Sequence, residues 1–185
     1  MPDDAQLLLD YARRGDVGSL TALVNRHGTW LTALLRGLLP SEADADDAFQ
    51  DVWMRVIRAA DSYRGGNVRS YLARIARSVA LDRLRQQGRT TSLDIADETG
   101  GTPAQDLPAT GPGPGEAVEL RASAEEIRAA VRDLPGTLRQ ILLLRIEAEM
   151  PYRDIAAELG LPLGTVLTWM RVATERLKKA LGEKR

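Results

Sequence analysis

The chain reads as all-α: two small helical domains joined by a flexible acidic linker rich in Gly and Pro, with a helix-turn-helix in the C-terminal domain. Three observations carry this. Apolar residues recur at spacings of three and four in both halves, the mark of helices with one buried stripe. Aromatics make up 4% of the 185 residues, while Leu, Ala and Arg are abundant, which favours helices over sheets. Between the halves, nine of the sixteen residues 100–115 are Gly or Pro, and residues 90–120 carry no Lys or Arg. Such a segment holds too little apolar surface to form a packed core, so the domains are expected at 1–89 and 121–185, with 90–120 as linker.

In the first domain, residues 7–11, 20–24 and 30–39 read as short helices, the last stopped by Pro40. Ser41 is placed to cap the next helix, whose first turns carry acidic residues that suit the helix dipole. That helix gathers Ala48, Phe49, Val52, Trp53, Val56 and Ile57 on one face and leaves Asp46, Asp47, Asp51, Arg55 and Arg58 elsewhere. After a loop with Tyr63, Arg64, Gly65, Gly66 and Asn67, a further helix turns Leu72, Ile75, Ala76 and Val79 inward. Its other side presents Arg74, Arg77, Ser78 and Arg85, and guanidinium groups at helical spacing can contact several phosphates or base edges together.

In the second domain, Ile155, Ala156 and Leu159 form one apolar stripe, and Val166, Met170, Ala173 and Leu177 form another. Gly160 supplies the permissive backbone for a sharp turn between them, and the small Ala156 lets the two helices approach closely. A second helix braced in this way can lie in a DNA major groove, which points to recognition of DNA rather than catalysis.

The net charge of −1 conceals a partition. Residues 62–89 hold 7 basic side chains and 1 acidic one, whereas residues 90–120 hold 6 acidic ones and no basic one. A basic block beside an acidic one suggests faces for different partners. The absence of cysteine excludes disulfides and thiolate metal sites and fits a cytoplasmic location. Residues 1–4 lack the layout of a signal peptide, and the longest apolar runs, such as 141–144, are far too short to span a bilayer, so no membrane segment is expected.

Residues 44–56, with Asp47, Gln50, Asp51 and Trp53, and residues 71–85, with Tyr71, Arg74, Arg77, Ser78 and Arg85, together resemble the second conserved domain of bacterial extracytoplasmic-function (ECF) sigma factors. The run from Leu134 and Pro135 through Ile155, Ala156 and 163–166 to Glu175, Arg176 and Leu177 looks like the fourth domain of that family. The resemblance implies a protein that binds core RNA polymerase, directs it to promoter DNA and promotes melting without catalysing a reaction itself. An anti-sigma factor is compatible as a further partner.

On this resemblance, Asp47, Gln50, Asp51 and Trp53 match the positions that dock on core polymerase, although Phe49 and Trp53 suit core packing equally well. Residues 62–85 match the part that captures the minus-ten element, with Tyr63, Asn67, Tyr71, Arg74, Arg77, Ser78 and Arg85 as candidates. Tyr71 stands where the family commonly has Trp, and Ser78 where it has Asn, which removes a two-ended amide suited to base-edge recognition. For the minus-thirty-five element the candidates are Thr165, Thr168, Arg171, Arg176 and Lys178. Leu167, Trp169 and Val172 occupy positions that are usually basic or His, and fewer cations mean a weaker, less salt-sensitive grip. Trp169 suits core packing, a thymine methyl or a partner surface. In the family the linker threads through the polymerase into the RNA exit path, where six acids could act as an RNA mimic.

No catalytic residue, cofactor or metal is expected. Asp46, Asp47 and Asp51 have the spacing of an Asp-rich magnesium cluster, but the chain lacks the second such motif of prenyl-transferring enzymes. His27 has no Ser or Cys arranged around it. The alternative to a sigma factor is a stand-alone helix-turn-helix regulator that binds duplex DNA without polymerase.

Overall fold

A computed structural model of the chain describes residues 3–88 and 123–182, so the linker and its proposed channel lie outside the described residues. The described residues fold into helices α1 (Asp4–Arg14), α2 (Val17–Leu38), α3 (Glu42–Ala59), α4 (Val68–Gln86), α5 (Ala124–Arg132), α6 (Gly136–Ile146), α7 (Tyr152–Leu159) and α8 (Leu163–Gly182), with a 3-10 turn at Ala60–Ser62. None of these helices is long and apolar enough to cross a membrane.

Local chemistry sets most boundaries. Gly15 ends α1 in the left-handed conformation at φ 65°, returning its N–H to the Tyr11 carbonyl. The Asp16 carboxylate then accepts from the Gly18 N–H at 3.1 Å and starts α2. Leu39 is extended, as the residue before a proline must be, and α2 stops there. Ser41 Oγ accepts from the Asp44 N–H at 3.1 Å, which makes it the cap of α3. Asn67 Oδ1 does the same for α4 at 2.9 Å from the Ser70 nitrogen. Ser123 and Glu126 cap α5 reciprocally.

The sequence pattern divides residues 20–24 from 30–39, but the structure has one helix of 22 residues there. The apolar period is interrupted at Asn25, Arg26 and His27, yet His27 is itself buried, at 5% exposure. Its Nδ1 accepts from the Trp30 indole N–H at 2.9 Å, so the polar side chain belongs to the packed face.

Leu8, Leu23, Leu31, Leu34, Leu35 and Leu72 are fully buried where α2 packs on α1, α3 and α4. In the second half Leu138, Ile141, Leu144, Met150 and Ile155 play the same part. The two halves pack against each other. One apolar cluster runs from Leu31 and Leu72 through Leu143 and Leu144 to Ile155 and Val166, while Leu134, Leu138, Leu142 and Ala173 close a smaller one. α5 and α6 lie against α2. At the α2–α6 crossing a Cβ on residue 37 would come within 2.6 Å of Leu143 Cδ1, so Gly37 is what lets α6 approach. Burying a leucine such as Leu143 contributes about 2 kcal/mol.

Candidate nucleic-acid interface and partner-docking face

α3 turns its apolar side onto α2 and α4, and the opposite ridge is left exposed at Asp46, Asp47, Gln50, Met54 and Arg58. Met54 is 46% exposed, an apolar side chain in the middle of a polar ridge. Sequence reasoning missed it; the available signal was its place four residues after Gln50, outside the apolar face. Asp51 is half-exposed and accepts from Arg83 Nε at 3.0 Å, and Arg83 also reaches Asp47 at 3.5 Å. Arg55 pairs with Asp82 at 2.7 Å and donates to Ser78 Oγ at 3.1 Å. These contacts pin α3 to α4, so the acidic ridge and the basic helix keep a fixed relation.

Trp53 faces inward at 7% exposure, edge-on to Phe49 with centroids 6.2 Å apart. Its indole N–H has no partner among the described residues. Of the four candidates on α3, Asp47 and Gln50 are thus exposed, Asp51 is half-exposed and Trp53 lies in the core. The three aspartates do not converge on a cation site, because Arg83 engages Asp47 and Asp51 while Arg36 lies 3.8 Å from Asp46.

The candidates at the start of α4 build the loop. Gly65 and Gly66 take φ of 98° and 108°, where a side chain would be strained. Tyr63 is buried and its hydroxyl donates to the Gly66 carbonyl at 2.7 Å. Its ring lies 5.2 Å from that of Tyr71, whose hydroxyl is buried without a partner among the described residues. Burial pushes both phenols above the ordinary tyrosine value, so both rings are neutral. Asn67, although exposed, spends its carbonyl on the cap of α4.

Further along α4, Arg74, Ser78 and Arg85 are exposed, with Arg85 3.7 Å from Asp82. Arg77 points elsewhere. Its Nε–H donates to Gln140 Oε1 at 2.7 Å, and a terminal nitrogen lies 3.1 Å from Glu158 Oε1. Arg69, which the sequence analysis did not single out, donates to the Glu147 carbonyl at 2.7 Å and lies 3.3 Å from the Glu149 carboxylate. It also stacks 4.9 Å over the Trp30 ring. Nothing in the local sequence separates such an arginine from a solvated one. Glu149 adopts φ 53°, a left-handed conformation uncommon for a residue other than Gly, at the point where Arg69 meets it.

In the helix-turn-helix, Gly160 closes α7 at φ 66° and leads into α8. Arg171, Arg176 and Lys178 are exposed, whereas Thr165 and Thr168 are half-buried. Arg171 is held loosely by Glu175, 3.5 Å away on the next turn. Trp169 is half-buried and packs against both apolar clusters, which favours the core among its three readings.

Comparison with known proteins gives this arrangement its context. Residues 23–90 match Sigma-70 region 2 and residues 124–177 match Sigma-70, region 4. The fold and its two helical regions thus define a sigma-70-type factor. The ECF RNA polymerase sigma-E factor of Escherichia coli K12 is 30% identical over 173 residues, covering 87% of this chain and 85% of that protein. The ECF RNA polymerase sigma factor SigW of Bacillus subtilis is 26% identical, with 91% of this chain and 92% of that one covered. SigE of Mycolicibacterium smegmatis is 27% identical over 87% of this chain, which spans 61% of the length of that relative. Among solved structures, CnrH in complex with the cytosolic domain of CnrY has a TM-score of 0.65 at 20% identity, covering 99% of this chain and 100% of that one. RpoE of Bartonella quintana, in complex with the anti-sigma factor NepR, has a TM-score of 0.66 at 22% identity, covering 90% of this chain and 98% of that one. The chain belongs to the ECF RNA polymerase sigma factors, the transcription-initiation subunits that direct RNA polymerase to promoters.

Proposed function

We propose that the chain divides this work among three faces and supplies no catalytic group. The α3 ridge of Asp47, Gln50 and Met54, with Asp51 beside it, docks on core polymerase. The exposed Arg74, Ser78 and Arg85 of α4 hold the displaced minus-ten strand. Arg171, Arg176 and Lys178 of α8, flanked by Thr165 and Thr168, engage the minus-thirty-five duplex. The observation that carries this is the pinning of α3 to α4 by Arg83–Asp51 and Arg55–Asp82, which places an acidic ridge with an apolar centre at a fixed position beside a basic helix face. An acidic ridge suits a basic protein partner, and Met54 gives it the adaptable apolar contact that interfaces favour. The basic face suits phosphates, and melting is offset by strand contacts usable only when polymerase positions the helix. Tyr63, Asn67 and Tyr71 shape the loop and its aromatic pair, which stands behind the strand-binding face.

A regulatory protein of the anti-sigma kind fits the same reading, because a partner that covered the α3 ridge would withhold the factor from polymerase; RpoE of Bartonella quintana is in complex with an anti-sigma factor. The site of action is then the cytoplasm, where core polymerase works.

Reconstitution with core polymerase tests the assignment. Arg74→Ala and Arg85→Ala are each expected to lower open-complex formation several-fold with assembly unchanged, since a charge-assisted phosphate contact is worth about 1 kcal/mol or more. Met54→Asp and Gln50→Arg are expected to weaken assembly instead. Arginine variants that lose core binding while Met54→Asp assembles normally would overturn it. Tight, specific duplex binding by the free chain without polymerase would favour the stand-alone regulator.

A further inference from the structure

The first turns of α8 carry side chains that the packing of the chain does not account for. Val166 and Ala173 are buried in the two apolar clusters, and Trp169, Met170, Val172 and Leu177 pack against them. Leu163 and Leu167, one helical turn apart, belong to neither cluster among the described residues; Leu163 is 37% exposed and Leu167 half-buried. Gly164 is exposed beside them, and a Cβ there would meet nothing within 4 Å. Nothing inside the chain therefore requires a glycine at 164, whereas a close approach from outside would use one. Thr168 and Arg171 continue the same face at spacings of four and three. Residues 163–170 carry no charged side chain. The cations begin only at Arg171, 3.5 Å from Glu175, and go on with the exposed Arg176 and Lys178. The helix thus has an apolar tip and a charged remainder.

We infer that this factor reads its minus-thirty-five element through the C5 methyl groups of neighbouring thymines, covered by Leu163, Leu167 and the Thr168 methyl; the inference rests on the assignment of α8 to that duplex. A recognition helix meets base edges with its N-terminal residues. On the floor of the major groove the one apolar feature is the thymine methyl, while guanine shows two acceptors and cytosine and adenine show amino groups. An arginine at the tip would suit guanine, and residues 163–170 hold none. Leucine has no donor or acceptor. Laid over a G·C pair, Leu163 and Leu167 would strip water from polar edges and return no hydrogen bond, a penalty that selects against such pairs. Over thymine they bury a methyl instead. Thr168 extends the apolar patch, and its hydroxyl can donate to thymine O4. Gly164 lets the helix settle deep enough for these short side chains to reach. Arg171, Arg176 and Lys178 then hold phosphates, contacts that fix register and carry no sequence information.

Holoenzyme reconstituted from the full chain and core polymerase tests this on a promoter pool randomised across the minus-thirty-five element. The selected templates are expected to carry neighbouring thymines and to lack G·C pairs at those positions. Replacing a selected thymine by uracil removes the methyl and nothing else. Each such change at a covered methyl should weaken holoenzyme binding about fourfold, the equivalent of ~0.8 kcal/mol. Leu167→Ala should lose the discrimination between thymine and uracil at one position and keep it at the others, a coupling that a loss of structure alone would not produce. Leu167→Arg should shift the selected base at that position to guanine. Should Leu167→Ala fail to fold by circular dichroism, the uracil series on the parent decides alone. G·C pairs in the selected element, a pool that stays random, or uracil without effect would each overturn the methyl reading. Arg176→Ala and Lys178→Ala then separate the two assignments: weakened binding leaves α8 on the duplex, and unchanged binding removes it.

Discussion

His27 shows how much one side chain can hold at the residue scale. Its Nδ1 accepts from the Trp30 indole, so its proton sits on Nε2, 3.1 Å from the Asp4 carboxylate that also receives Arg26 at 2.8 Å. Burial holds its pKa below the usual 6.5, with Asp4 pulling the other way. The unfolded histidine titrates near 6.5, so below that pH the unfolded chain takes up a proton that the folded chain resists. Stability should therefore be flat above about pH 7 and fall as pH drops through about 6.5 towards the lower folded value. Thermal melts of the parent and His27→Gln between pH 5 and 8 check this: the parent should lose melting temperature across that window relative to the variant, and parallel curves would contradict it. Caps such as Ser41 were legible in the sequence because they act across three residues. Trp53 and Tyr63 were not, since an aromatic on a helix or loop serves core and interface alike and only the finished packing decides. The partners of Arg77 lie 63 and 81 residues away, beyond any local pattern.

At the scale of elements, α3 and α4 form one unit clasped by Arg83. Removing the clasp with Arg83→Met takes donors from Asp51 and Asp47, a partly exposed network worth about 1 kcal/mol. The melting temperature should fall by a few degrees, while the carboxylates released on the α3 ridge should tighten assembly with core polymerase. Melts and a core-binding titration read the two effects separately, and a variant that melts lower but also assembles more weakly would assign Asp51 to the fold alone. Both helices were legible from their apolar spacing, as was the turn at Gly160. The apolar pattern splits α2 at its polar stretch, where Asp4 and Trp30 supply partners for the buried imidazole. The signal for the contact between the halves lies in the apolar residues 141–144. Such an apolar run fails to cross a membrane, yet α6 is buried at Gly136, Thr137, Leu138 and from Gln140 to Leu144, on more than one face, because it lies between two layers.

At the scale of the molecule, the apolar cluster shared by α1–α4 and α6–α8 predicts that two regions matched by separate families unfold as one. Urea denaturation of the free chain should give a single transition by circular dichroism and fluorescence, and Gly37→Leu should separate it into two. Two transitions in the parent would mean that the domains are thermodynamically independent. The seam between them also has an optical consequence. Trp30 lies beneath the Arg69 guanidinium, whose remaining contacts are to Glu147 and Glu149 on the other side. An excited indole is a large dipole, and its colour follows the charge beside it. A separation of the two halves would leave Arg69 without those two partners, and the light from Trp30 would record it, so the chain carries a native dye at its seam.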